Sequence, residues 1–153
     1  ADIFTKWSVE EKEAIGIYEI VFNNSNFKNE NYYTNTVPTF VYDADDDAVT
    51  ASYETATPKS HTELKTNFIY DLKIEVSHEL SKTDWYIIRN IEKSTEIPSA
   101  VSTHRDLVRT KQATMETQIT NAADTPALET LYTYTTTDGV KSRPLGELPI
   151  LEI

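Results

Sequence analysis

The chain has 153 residues, of which 25 are acidic and 14 basic, a formal net charge of -11 and a mean hydropathy of -0.48. This length suits one domain, or one small domain with an appendage. No apolar run approaches the roughly 20 residues of a membrane-spanning helix, so no membrane role is expected. Before Lys59 there are 11 acids and 3 bases, and from Lys59 onward 14 and 11. An acidic surface of this kind repels phosphate backbones, so nucleic acid is not an expected partner; solubility or a basic partner accounts for the charge.

Cysteine is absent, which removes disulfides, thiolate metal sites and cysteine catalysis and fits a reducing cytoplasm. The start, Ala1-Asp2-Ile3, has no basic flank or apolar stretch, so no secretory leader is expected.

Ser8 and Glu11 form a capping-box pattern that predicts a short helix over 8–14, with Trp7 as a staple residue and Gly16 ending it. Ile17 to Phe22 is β-branched and aromatic and reads as a strand. Further short strands are predicted at Tyr32-Tyr33, Pro38 to Tyr42 and Val49 to Tyr53. The acidic run Asp43 to Ala48 forms an exposed hairpin turn between the last two. Thr50, Ser52 and Glu54 alternate with Val49, Ala51 and Tyr53, a pattern that suits an edge strand with one wet face.

The dominant feature runs from His61 to Ala123 and reads as two amphipathic helices joined at Ile97-Pro98. Ser60 caps the first, with Glu63 three residues later. Leu64, Phe68, Leu72, Val76 and Leu80 step by four, and Ile69, Ile87, Ile88 and Ile91 widen the stripe. This helix either runs to Lys93 or breaks near Ser81 with Thr83 or Asp84 capping a second segment. Ser99 caps the next helix, and Ala100, Val101, His104, Val108, Met115 and Ile119 line its apolar face. The short connection predicts antiparallel pairing. Pro126 to Leu131 forms a short further helix. Asp138-Gly139, between Tyr132–Thr137 and Val140–Arg143, is a strong hairpin signal. The apolar segment from Pro144 to Ile153 is costly in water and is expected to dock, on this chain or a partner.

The chemistry-bearing residues argue for binding rather than catalysis. Asp43, Asp45, Asp47 and Glu54 fall at calcium-loop positions, but Ala48 stands where glycine is needed and the flanks read as strands. A solvated turn is expected there, with no metal. His61, His78 and His104 form no metal-ligating pair, no nucleophile elbow or phosphate loop exists, and no cofactor or catalytic residue is assigned. Trp85, Tyr86 and Arg89, with Arg105 and Arg109 one turn apart, form the distinctive cluster. It reads either as an internal ion-pair and cation–π brace, with Asp84 or Glu92 as partners, or as a partner-binding patch. Leu148, Ile150, Leu151 and Ile153 complete the candidate contact residues.

Leu80, Thr83, Asp84 and Trp85, followed by Arg105, Val108 and Arg109, resemble the motifs of a family of small tailed-bacteriophage proteins encoded beside tail-fibre genes, the tail-fibre assembly or tail-fibre-associated proteins. Asp84 to Arg89, Ile97-Pro98 and Ala122-Ala123-Asp124 with Leu128 to Tyr132 are similar to versions in phages of aquatic bacteria. The resemblance spans about 61–132. His104 stands where the family has an aromatic residue, and the hairpin and tail after Leu131 are additions.

The resemblance implies a non-enzymatic virion structural protein made in the host cytoplasm. It would associate with the tail fibre or baseplate by protein–protein contacts, with tail proteins or a second copy as partners. A tail-fibre assembly chaperone is the alternative, and the added C-terminal part favours the resident subunit. A glycan-binding module using Tyr32, Tyr33 and Tyr42 is a third reading. The expected architecture is α+β: a β-rich part over 1–58, a helical hairpin with a short third helix over 59–131, and a β-hairpin with a docking tail over 132–153.

Overall fold

The structure, a computed structural model, describes residues 6–45 and 48–151. The chain is an α+β protein. It divides into two compact units, Ala1–Lys59 and Ser60–Ile153. Among the described residues no helix is long and apolar enough to cross a membrane.

Among its described residues the first unit carries a short helix, α1 (Val9–Glu13), and the strands β1 (Ile20–Asn23), β2 (Tyr33–Thr34), β3 (Thr39–Asp43), β4 (Ala48–Ser52) and β5 (Thr57–Pro58). The predicted capping box is present. Ser8 Oγ accepts from the Glu11 amide at 3.2 Å and Glu11 Oε2 accepts from the Ser8 amide at 2.8 Å. β3 and β4 form the expected antiparallel hairpin. β4 is not an edge strand, however. It is the centre of a three-stranded sheet, because β1 pairs with its other side in parallel. The alternation in β4 reported the two faces of the strand and said nothing about its neighbours. Register places Ile20, Phe22, Phe40, Tyr42, Val49 and Ala51 on one face. Only Ala51 among them is fully buried, between two phenylalanines that are each more than half exposed. β2 and β5 form a separate two-stranded ladder, and Tyr32 and Tyr33 are buried.

The second unit contains α2 (His61–Ser81), α3 (Asp84–Lys93), α4 (Ser99–Asn121), α5 (Thr125–Tyr132) and the hairpin β6 (Thr135–Thr137) and β7 (Val140–Ser142). Ser60 caps α2 as predicted, accepting from the Glu63 amide. Pro98, not Ser99, occupies the N-cap of α4; its carbonyl accepts from Val101 and Ser102, and Ser99 is the first helical residue. α2 and α4 run antiparallel: Lys65 Nζ reaches the Thr120 carbonyl at one end, and Arg105 reaches Leu80 at the other. Leu64, Leu72 and Val76 pack with Val101, Val108, Met115 and Ile119 in the buried seam. Leu128 of α5 and Leu145 after the β-hairpin are buried in the same unit.

Between α2 and α3 the helix breaks. Lys82 ends the first segment, and Thr83, at φ -118° and ψ 2°, leaves the helical path. The stripe of apolar residues does not continue across the break: Ile88 and Ile91 are 55% and 76% exposed, and no residue of α3 is buried. Ser94, at φ 51°, ends α3. Asp124 Oδ1 caps α5 by accepting from Ala127 at 2.8 Å, and Tyr132 at the end of α5 meets Phe68 ring to ring at 4.6 Å. Asp138 and Gly139 both take positive φ, 53° and 79°, as a two-residue hairpin turn matched to strand twist requires.

Candidate docking surface at the helix break

The break is held from 22 residues away along the chain. Arg105 lies on the inner face of α4, and its side chain is 11% exposed. Its Nη1 faces three acceptors: the Leu80 carbonyl at 2.8 Å, Thr83 Oγ1 at 2.7 Å and Asp84 Oδ1 at 2.8 Å. A guanidinium nitrogen carries two hydrogens, so the three acceptors share them. The Thr83 hydroxyl in turn donates to the Leu80 carbonyl at 3.0 Å. Thr83 thus stands at the N-cap position of α3 while its side chain satisfies the end of α2. The last carbonyls of a helix lack partners within it, and this cluster supplies one.

Beside the clamp lies a second charged group. Glu79 pairs with Lys82 on its own helix, and His104 Nε2 lies 3.3 Å from Glu79 Oε1 without the alignment of a hydrogen bond. Lys82 holds the Glu79 carboxyl below its ordinary 4.5; partial burial opposes the shift and the His104 contact adds to it. His104 is 4% exposed.

On the outer side, Trp85 and Tyr86 lie ring against ring at 3.9 Å, and the Arg89 guanidinium sits 4.6 Å from the Trp85 ring centre and 5.5 Å from that of Tyr86. Cation–π attraction of this kind fixes the side chains in place, and Trp85 nonetheless stays 50% exposed. Together with Ile88 and Ile91 it gives α3 an apolar surface in solvent.

The candidate contact residues therefore separate into two groups. Trp85, Tyr86 and Arg89 form one surface on α3. Arg105 is not part of that surface: the buried acceptors at the break take its guanidinium. Arg109, one turn on, points to solvent and meets only Asp106, at 3.5 Å, among the ion pairs of the described residues. Asp84 is the acid that meets Arg105, and the brace anticipated in the sequence is the Arg105–Asp84 pair together with the Arg89 stack.

Leu148 and Leu151 are half-buried, Ile150 is 85% exposed, and Ile153 lies outside the described residues. Ile150 and Leu151 border two hollows. One, of about 270 Å³, includes Glu79, Thr83, Trp85 and Tyr86; the other, of about 350 Å³, includes Ala100, Thr103, His104 and Leu107. The anchor of this segment is Leu145, 1% exposed. Its amide donates to the Leu131 carbonyl at 3.0 Å, and its carbonyl accepts from Lys111 Nζ at 3.0 Å. The sequence reading missed Leu145, Glu79 and the burial of Thr83. An isolated leucine between Pro144 and Gly146 was the available signal for the first.

Tyr32 and Tyr33 are 5% and 3% exposed, so they cannot stack on a sugar; Tyr42 is 47% exposed. Asp43 Oδ1 accepts from the Asp45 amide at 2.9 Å, as a turn-capping aspartate does, and Asp47 lies outside the described residues. Among the described residues no three His, Cys, Asp or Glu side chains are grouped to hold a metal ion. No protein family, curated protein or solved structure among those compared matches the chain.

Proposed function

We propose that the chain is a non-enzymatic structural protein of a tailed-bacteriophage virion, held at the tail fibre or baseplate by protein–protein contacts through α3. The observation that carries this reading is that α3 is strongly amphipathic and has no buried residue. A helix of this pattern normally buries its apolar face, and exposed tryptophan beside isoleucine and arginine is the composition of an interface centre. The motif residues support the same reading. Leu80, Thr83, Asp84 and Arg105, four of those that resemble the phage family, are the clamp that sets α3 at its break.

Mass spectrometry of purified virions tests the proposal. The chain is expected in mature particles at a fixed ratio to a tail protein. Its absence from particles that require it for fibre attachment would overturn the structural reading and favour an assembly chaperone.

A further inference from the structure

β3 is an outer strand of the three-stranded sheet, with β4 on one side and, among the described residues, no strand on the other. Alternate residues of a strand in this position turn their amides and carbonyls away from the sheet. Folded proteins ordinarily blunt such an edge with lysine, an internal proline, a bulge or a very short strand. β3 has none of these. It pairs without a bulge from Thr39↔Ser52 to Asp43↔Ala48, and Phe40, Val41 and Tyr42 at its centre are 56%, 61% and 47% exposed. Phe40 and Tyr42 lie on the apolar face of the sheet with Ile20 and Phe22, so an added strand would extend that face.

Charge selects what can pair there. Asp43 ends β3, and Asp45, Asp46 and Asp47 follow it in the sequence. Residues 1–59 carry 11 acids and 4 lysines, and neither Asp43 nor Asp45 forms an ion pair among the described residues. A second copy does not supply the missing charge. Paired antiparallel about Val41, it would set its own uncharged residues 35–38 beside the acids that follow Asp43; paired parallel, it would set acid against acid. We propose that the open edge of β3 receives an extended segment of a basic partner protein, with apolar side chains next to Phe40 and Tyr42 and lysine or arginine at the end that meets Asp43. Main-chain hydrogen bonds hold such a strand, and its alternate side chains and charged end select it. This interface belongs to the first unit and rests neither on α3 nor on residence in a virion.

The test titrates the isotopically labelled full chain with the synthetic peptide Lys-Lys-Phe-Val-Tyr-Lys-Lys, capped at both ends and able to pair in either direction. Two comparison peptides carry glutamate in place of every lysine, or N-methyl groups on Phe, Val and Tyr. The changes lie in the peptide, so the folded chain is the same in every arm. The lysine peptide should give saturable amide shifts centred on residues 39–43, with slowed amide exchange there. The glutamate peptide should bind at least about tenfold more weakly, and the difference should shrink in high salt. The N-methyl peptide keeps the side chains and charges but lacks the central amide donors of a ladder, and should not bind. No saturable shift at millimolar lysine peptide would overturn the proposal. Equal binding of the lysine and glutamate peptides would remove the charge selection, and equal binding of the N-methyl peptide would remove the added strand; either result refutes it. Concentration-dependent shifts at 39–43 in the chain alone, with a dimer by equilibrium sedimentation, would assign the edge to a second copy and refute it as well.

Discussion

Replacing Arg105 by alanine removes a guanidinium nitrogen that faces three acceptors at the α2–α3 break. Thr83, 1% exposed, loses a charged donor with no water to replace it. Asp84, whose side chain is 52% exposed, can rehydrate. Breaking a fully buried pair typically costs 3–5 kcal/mol, and the exposure of Asp84 reduces that to about 2–4 kcal/mol here. For a unit of this size each kilocalorie moves the midpoint by several degrees, so Arg105→Ala is expected to melt roughly 10–20 °C lower. Urea unfolding followed by circular dichroism measures the loss directly. Lysine at the same place keeps the charge but lacks the planar fork, and should recover less than half of the lost stability. A cycle with Thr83→Ala should give a coupling of about 1 kcal/mol or more. A loss below about 0.5 kcal/mol for Arg105→Ala, with helix content unchanged, would refute the clamp as the element that holds the break.

Glu79→Gln should lower stability at neutral pH. Because the Glu79 carboxyl is held below its ordinary 4.5 in the folded chain, that contribution is complete above 4.5 and fades as the pH falls through the lowered value. Wild type and variant should thus converge in acid, as denaturation against pH will read; a gap that stays constant would contradict the Lys82 and His104 contacts as its source. Leu145→Ala, at a side chain 1% exposed, should cost about 2–4 kcal/mol and raise the protease sensitivity of the residues after it. Gly139→Ala meets no neighbour within 4 Å but sits at φ 79°, so strain alone should cost about 1–2 kcal/mol in the hairpin, measurable by amide exchange at β6 and β7. Trp85→Ala with Ile91→Asp should change the melting temperature little, since both side chains are at least half exposed, yet abolish incorporation into virions; full incorporation of the double variant would remove α3 from the proposed contact.

Much of the local structure was legible because its causes are local. Ser8 and Glu11 satisfy each other's amides, Ser60 alone accepts from the Glu63 amide, and Asp138-Gly139 supplies the two positive φ values of its turn. The candidate site was legible in part. Trp85, Tyr86 and Arg89 stood out by composition, and their stacking needs only neighbours on one helix. Arg105 was noticed for its charge, with both an internal and an external role open; the arrangement of α2 against α4 decides between them by aiming it at the break.

The sequence by itself determined the α+β class, the apolar seam of the helix pair and the turn chemistry, because each depends on periodicity or on contacts a few residues apart. Only the tertiary structure decided three other things. β1 crosses over to pair in parallel with β4, which makes a central strand of one that looked like an edge. Arg105 closes the break between α2 and α3 from 22 residues away, which takes Ile88 and Ile91 out of the core and into solvent. Leu145 is fixed by Lys111 across 34 residues, which sets where the following segment lies. Each depends on which distant groups meet, and that is settled by the packing of whole elements, about which a local pattern of side chains carries no information.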